Sequence, residues 1–271
     1  SDPILVRQNG RFIYTLASVV DDIDYKITHI IRGEDHVTNS AIQMKIFTAL
    51  NTTIPNMGHL PLMTDIGGGG LSKRIGSLSI IDLKEKSIQP QVLNSYLSKI
   101  GSSENIELQN SIDDLINSFE ISKFNRASTK FDFEMLRSLN IKFFQKINYR
   151  EISKNVIRKK KYFTEEFWNL IKMNVTSIED VNEWLEIVYG NFKIVNYDIS
   201  KNKEYLKYFP SKEVNDDTWS RWLENLTLNL DEKKITIIKN IRLSLTGKIS
   251  GPEMSILLKI LGKDKIFERL T

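Results

Sequence analysis

The chain has 271 residues, 27% of them charged and 41% hydrophobic, with a net charge of +4, which describes an ordinary globular protein long enough for two or three domains. It has no cysteine, so disulfides and thiolate metal sites are excluded, and His29, His36 and His59 lack the spacing of a structural zinc site. No apolar run approaches the roughly 20 residues of a membrane span, and Ser1-Asp2-Pro3 shows none of the features of a signal peptide, so a cytoplasmic chain with no membrane partner is expected.

In chain order, Phe12-Ile13-Tyr14-Thr15-Leu16 opens a stretch of short β-prone runs over residues 11–32. Lys26 to Ile31 reads as a buried strand ending at Arg32. Val37, Ala41, Met44, Phe47 and Leu50 recur every three or four places and predict an amphipathic helix, with Thr38 or Asn39 in its first turn. Leu60-Pro61-Leu62-Met63 reads as another strand, leading into Gly67-Gly68-Gly69-Gly70. Strand, helix, strand implies an α/β unit with parallel strands. Two or three strands are few for a doubly wound sheet, which suggests a missing upstream part and an exposed apolar sheet edge.

Beyond Ile80 the pattern is helical. Helices are predicted over Val92–Ile100 with Gly101 as C-terminal cap, Asp113–Phe119, Phe133–Leu139, Glu151–Ile157, Glu165–Met173, Glu179–Val188, Lys233–Leu245, and Pro252–Leu261 closed by Gly262. Trp168, Trp184, Trp219 and Trp222 sit at helical positions and read as core. The fold class is therefore α/β plus all-α, predominantly α.

Two motifs carry candidate chemistry. Leu71-Ser72-Lys73-Arg74 follows the four glycines, and a lysine on such a loop can bring a point charge to a phosphate. The P-loop pattern does not fit, because Lys73 follows Ser72 and precedes Arg74. Arg32-Gly33-Glu34-Asp35-His36 lies at the C-terminal end of a predicted strand, where α/β sheets bind ligands, and Arg32 could hold a carboxylate. Taken singly, each is equally a solvated loop, with Asp35 or Thr38 capping the next helix. The basic run Arg158-Lys159-Lys160-Lys161 reads as a solvated helix end rather than an RNA patch.

Together the stretches are more specific. Tyr14-Thr15-Leu16-Ala17-Ser18-Val19-Val20-Asp21-Asp22, Ile30 to His36, His59-Leu60-Pro61-Leu62 and Leu71-Ser72-Lys73-Arg74 occur in that order, and the set resembles the bacterial-type glutamyl-tRNA synthetases. Phe131-Asp132 with Leu136 to Lys142 resembles that family's stem-contact segment. Arg242-Leu243-Ser244-Leu245-Thr246-Gly247 with Gly251-Pro252-Glu253-Met254 resembles its anticodon-reading corner. The similarity is weakest between about Arg158 and Lys234.

The resemblance implies the second half of a Rossmann-type catalytic domain over 1–78, a stem-contact region over 79–150 and a helical anticodon-binding region over 151–271. It implies ATP-dependent activation of glutamate, then transfer to the 3′ end of tRNA(Glu), with charging of tRNA(Gln) left open. Tyr14, Arg32 and His36 would bind glutamate. Leu71, Ser72, Lys73, Arg74, His59 and Leu60 would bind ATP, with Lys73 stabilising the departing pyrophosphate and Ser72 and Arg74 supporting it. Mg²⁺ would arrive with ATP, without a protein metal site. Arg242, Gly251, Pro252 and Met254 would meet the anticodon, and a monomer is implied.

Two departures stand out. Gly70 replaces the first lysine of the family's ATP loop, and no His-Ile-Gly-His signature occurs in these residues. A fragment inactive by itself is therefore expected. A stand-alone tRNA-binding protein derived from a synthetase is the alternative, and an unrelated nucleotide hydrolase would need the missing P-loop pattern.

Overall fold

The structure, a computed structural model, describes residues 3–71, 79–156, 159–190, 199–210 and 213–271. The chain divides into two compact units, Ser1–Leu139 and Asn140–Thr271.

In the first unit, helix α1 (Tyr14–Asp24) packs on helix α2 (Val37–Ala49). The β-prone reading of residues 12–16 is thus corrected. Only Phe12 is strand-like, bridging Val6, and from Tyr14 the chain is helical. Leu16, Val19 and Ile23 fall at helical spacing and pack with Ile46 and Phe47. Burial of that stripe overrides the β-branched Val19-Val20 pair.

Strands β1 (His29–Gly33) and β2 (Asn56–Leu60) are parallel, with Arg32 opposite His59, and α2 connects them. The strand–helix–strand unit expected from periodicity is therefore present. The expected burial of β1 is not, since Ile31 is 53% exposed. The buried face of α2 also differs from expectation. Val37, Met44 and Leu50 are exposed, while Ser40, Gln43, Ile46 and Phe47 are buried. Phe47 alone of the expected stripe is buried, and two of the four buried residues are polar, which an apolar count does not register.

The Leu60–Met63 run straddles two strands. Pro61 has no N–H for a ladder, and β3 (Met63–Thr64) starts beyond it and pairs in parallel with β4 (Thr129–Lys130). The glycine run folds back on β3, with Gly70 bridging Thr64. Its turn is closed by Asp65, whose N–H donates to Gly69 O at 2.8 Å and whose carboxylate accepts from Gly69 N–H at 2.8 Å. Gly68 sits there at φ +86°, a left-handed conformation that glycine adopts freely.

Helix α3 (Ile80–Glu85) was not anticipated, although Ser79 and Asp82 form a capping box at its start. Helix α4 (Pro90–Leu97) begins with proline and leads to Gly101 at φ +82°. Helix α5 (Ile112–Ser118) and the chain after it are tied to α4 by charge. The buried Lys99 ammonium donates to Glu104 at 2.5 Å and to Ser118 O at 2.8 Å, and Lys123 pairs with Glu104 at 2.9 Å. Helix α6 follows over Phe133–Lys146.

The second unit holds helices α7 (Tyr149–Ile152), α8 (Glu165–Ile171), α9 (Ile178–Tyr189), α10 (Ile199–Lys207), α11 (Thr218–Asn229), α12 (Lys234–Thr246) and α13 (Met254–Leu270). Side-chain caps from Asn148, Thr164 and Ser177 start α7, α8 and α9. Trp168, Trp184 and Trp222 are buried in the core and Trp219 is partly buried against it, as read from sequence. Helix α7 stops at Ile152, short of the expected end at Ile157, which lies outside the described residues with Arg158. Gly262 breaks α13 at φ 72°, ψ 163°, where the sequence reading placed a helix end. The segment beyond it then donates from Arg269 to Leu245 O and Ile187 O, and from Lys265 to Val188 O. These are last-turn carbonyls of α12 and α9 that have no partner within their own helices.

Candidate functional site

Arg32 is the residue around which the first unit's polar groups gather. It stands next to last in β1, with a short 3₁₀ turn over Glu34–His36 carrying the chain into α2. Beyond the C-terminal ends of parallel strands is where open α/β sheets take ligands. The guanidinium Nη2 donates to Ser40 Oγ and to Gln43 Oε1, both at 2.5 Å. Nη1 donates to the Tyr14 hydroxyl at 3.4 Å. Gln43 Nε2 donates in turn to Ser18 Oγ at 2.6 Å, and His59 Nε2 lies 2.7 Å from Ser40 Oγ. Ser40 also donates to His36 O at 3.1 Å.

The hydrogen-bond partners of Arg32, namely Tyr14, Ser40 and Gln43, are all neutral. Among the described residues no ion pair involves Arg32, and its buried Nε has no hydrogen-bond partner. Asp22 on α1 feels the guanidinium without touching it. Burial raises the Asp22 pKa from its ordinary value, the positive charge of Arg32 opposes that, and neighbouring Asp21 adds to it. A partly buried guanidinium without a carboxylate is costly unless an anion joins it. The arrangement is suited to receiving a carboxylate.

The three residues expected to bind glutamate come together here. Tyr14 is 56% exposed at the start of α1, and its ring meets the His36 ring edge-on at 6.1 Å between centroids. Asn39 Nδ2 lies 3.1 Å from His36 Nδ1. Sequence reasoning missed Ser18, Ser40 and Gln43. Ser40 and Gln43 lie three apart on the α2 face that also carries Phe47, and Ser18 lies on α1, and an apolar count registers none of them.

Of the residues expected to bind ATP, Ser72, Lys73 and Arg74 lie outside the described residues. Leu71 is exposed directly after the Asp65-closed turn, and His59 and Leu60 end β2 opposite Arg32 and Gly33. No group of three His, Asp or Glu side chains that could hold a metal occurs among the described residues. Among those residues no helix is long and apolar enough to cross a membrane.

The second candidate lies wholly in the helical unit. Arg242 on α12 donates to Pro252 O at 2.7 Å. Gly247 ends α12 in the left-handed conformation, at φ 71°. Gly251 packs so tightly that an added Cβ would meet Trp184 Cη2 at 2.6 Å. Burial lowers the Arg242 pKa from its ordinary value. Arg242, Gly251, Pro252 and Met254 are thus gathered at one corner. Pro252 and Met254 are buried, Met254 at 3% exposure. Their side chains pack inward, whereas the Arg242 side chain is left partly open.

The profile of the class I tRNA synthetases (E and Q), catalytic domain, matches residues 1–138. The chain belongs to that family. Its relatives include glutamate–tRNA ligase 1 of Ehrlichia ruminantium (strain Gardel), 39% identical over 272 residues, and glutamate–tRNA ligase 2 of Hyphomonas neptunium, 37% identical over 276 residues. Each alignment covers 100% of this chain and 61% or 62% of the relative, so the chain spans about three fifths of their length. The crystal structure of a glutamate–tRNA synthetase from Elizabethkingia anophelis is similar with a TM-score of 0.74 at 22% identity, over 99% of this chain and 61% of that one. At that identity the likeness speaks to the fold, a mostly helical class I synthetase fold.

Proposed function

We propose that this chain is part of a glutamate–tRNA ligase, which joins glutamate to ATP and passes the glutamyl group to the 3′ end of tRNA(Glu). The observation that carries this reading is Arg32, a guanidinium at a strand end held only by neutral groups. Its charge suits the glutamate side-chain carboxylate, with Tyr14 and His36 lining the same pocket. Lys73 stabilises charge on the departing pyrophosphate and Ser72 and Arg74 support it, with Leu71, His59 and Leu60 along the ATP. Mg²⁺ travels with the ATP phosphates. Little covalent chemistry falls to the protein, so positioning and electrostatics carry the reaction.

In the same reading residues 1–78 form the second half of a Rossmann-type catalytic domain, 79–150 are the stem-contact region, and 151–271 bind the anticodon. Arg242 faces an anticodon base, Gly251 keeps the corner tight, and Pro252 and Met254 support it from within. The enzyme acts in the cytoplasm as a monomer. The test is charging of purified tRNA(Glu) and tRNA(Gln) with labelled glutamate, ATP and Mg²⁺ by the full-length protein. Charged tRNA(Glu) is expected, and the second tRNA reads out discrimination. Salt-sensitive tRNA binding without charging would replace the proposal with a tRNA-binding protein descended from a synthetase.

A further inference from the structure

A guanidinium has five N–H donors, and how they are engaged decides what is left for a ligand. In Arg32 both Nη2 hydrogens are used, by Ser40 Oγ and Gln43 Oε1 at 2.5 Å each. Gln43 cannot turn its amide around without losing a second bond, since its NH₂ donates to Ser18 Oγ at 2.6 Å. Ser40 and Gln43 lie three apart on α2, at 4% and 1% exposure, so packing locks their rotamers. Nη1 reaches only the Tyr14 hydroxyl, at 3.4 Å.

The chemistry of the brace matters as much as its rigidity. Glu or Asp at position 43 would hold the guanidinium equally well, but would also neutralise it. An amide and a hydroxyl fix the group and leave its charge intact. We infer that Gln43 and Ser40, with Ser18 behind Gln43, are positioning residues that clamp Arg32 through neutral acceptors, so that its Nη1 edge, engaged only by the long bond to Tyr14, and its full charge serve a substrate carboxylate. This rests on the reading under Proposed function for the identity of that carboxylate.

The test is amino-acid-dependent ATP–pyrophosphate exchange by the full-length protein, comparing wild type with Gln43→Met and Gln43→Glu. Gln43→Met should raise KM for L-glutamate roughly tenfold or more while KM for ATP stays within about twofold, the size expected when one buried partner of a charged group is lost. Gln43→Glu keeps shape and acceptor, and should raise KM for glutamate further. Unchanged KM for glutamate in a folded Gln43→Glu protein would overturn the inference, whatever Gln43→Met does. A wild type that activates a different amino acid overturns the glutamate reading, and the KM ratios for that amino acid then judge the brace separately. With no exchange at all, guanidinium ¹⁵N spectra decide. Slow Nη rotation of Arg32, lost in Gln43→Met, supports the clamp, and identical rotation in both proteins ends it.

Discussion

At the scale of single residues, function and stability pull Arg32 in opposite directions. It is partly buried without a carboxylate, a position that costs desolvation, and under the proposed function that cost is recovered when a ligand carboxylate binds. Arg32→Met should therefore raise KM for glutamate on the order of a hundredfold. The same variant should melt at or above the wild-type temperature, as a calorimetric scan would reveal. A large fall in melting temperature would mean that Arg32 is a structural residue. Arg32, Tyr14 and His36 could be picked out as candidates in the sequence because they fall in ordered motifs. Ser18, Ser40 and Gln43 were not, because a polar residue facing inward looks the same in sequence as one facing water. Only the fold reveals which side of α2 is inside.

Among the elements, charged side chains do much of the joining. The Glu104 carboxyl is held below its ordinary pKa, first by hydrogen bonding from Lys99 and then from Lys123. A depressed carboxyl pKa contributes stability that is present above the unfolded-state value and lost as pH falls through the folded one. The first unit should lose stability below about pH 4.5, and Glu104→Gln should flatten that acid limb in urea titrations run across pH. Arg269 serves carbonyls at the ends of α12 and α9, so Arg269→Ala should cost about 2 kcal/mol in urea unfolding, whereas a conservative surface change on α13 should not. Neither tie was readable beforehand. Helix periods announced α6, α8, α9 and α12 because one buried stripe repeats along each. Long-range partners such as Arg269 and Leu245 leave no local pattern, and α1 was mistaken because Val19-Val20 favours strand by propensity alone.

Across the whole molecule the two units differ in how thoroughly they bury their apolar groups. The helical unit encloses three tryptophans together with Tyr205, Phe144 and Phe167. Residues 140–271 produced alone should unfold in one cooperative step followed by tryptophan fluorescence, as an independent domain does. The first unit leaves Ile27, Ile31, Val37, Met44 and Met63 exposed on or near its two two-stranded sheets. Residues 1–139 alone should therefore bind the dye ANS, and a failure to do so would mean that these side chains are covered by rearrangement or self-association.

A cation kept in place by neutral groups is also a standing invitation to whatever anion is abundant. The Arg32 clamp cannot tell a carboxylate from sulfate or phosphate until the rest of the ligand is read, so such ions should compete with glutamate and leave KM for ATP nearly alone. Simple screening by sodium chloride would weaken tRNA binding far more steeply than it weakens this pocket, because one charge is engaged here and many are engaged along a phosphate backbone. Buffer composition thus becomes part of the enzymology. Measured affinity for glutamate should differ between sulfate and chloride media of equal ionic strength.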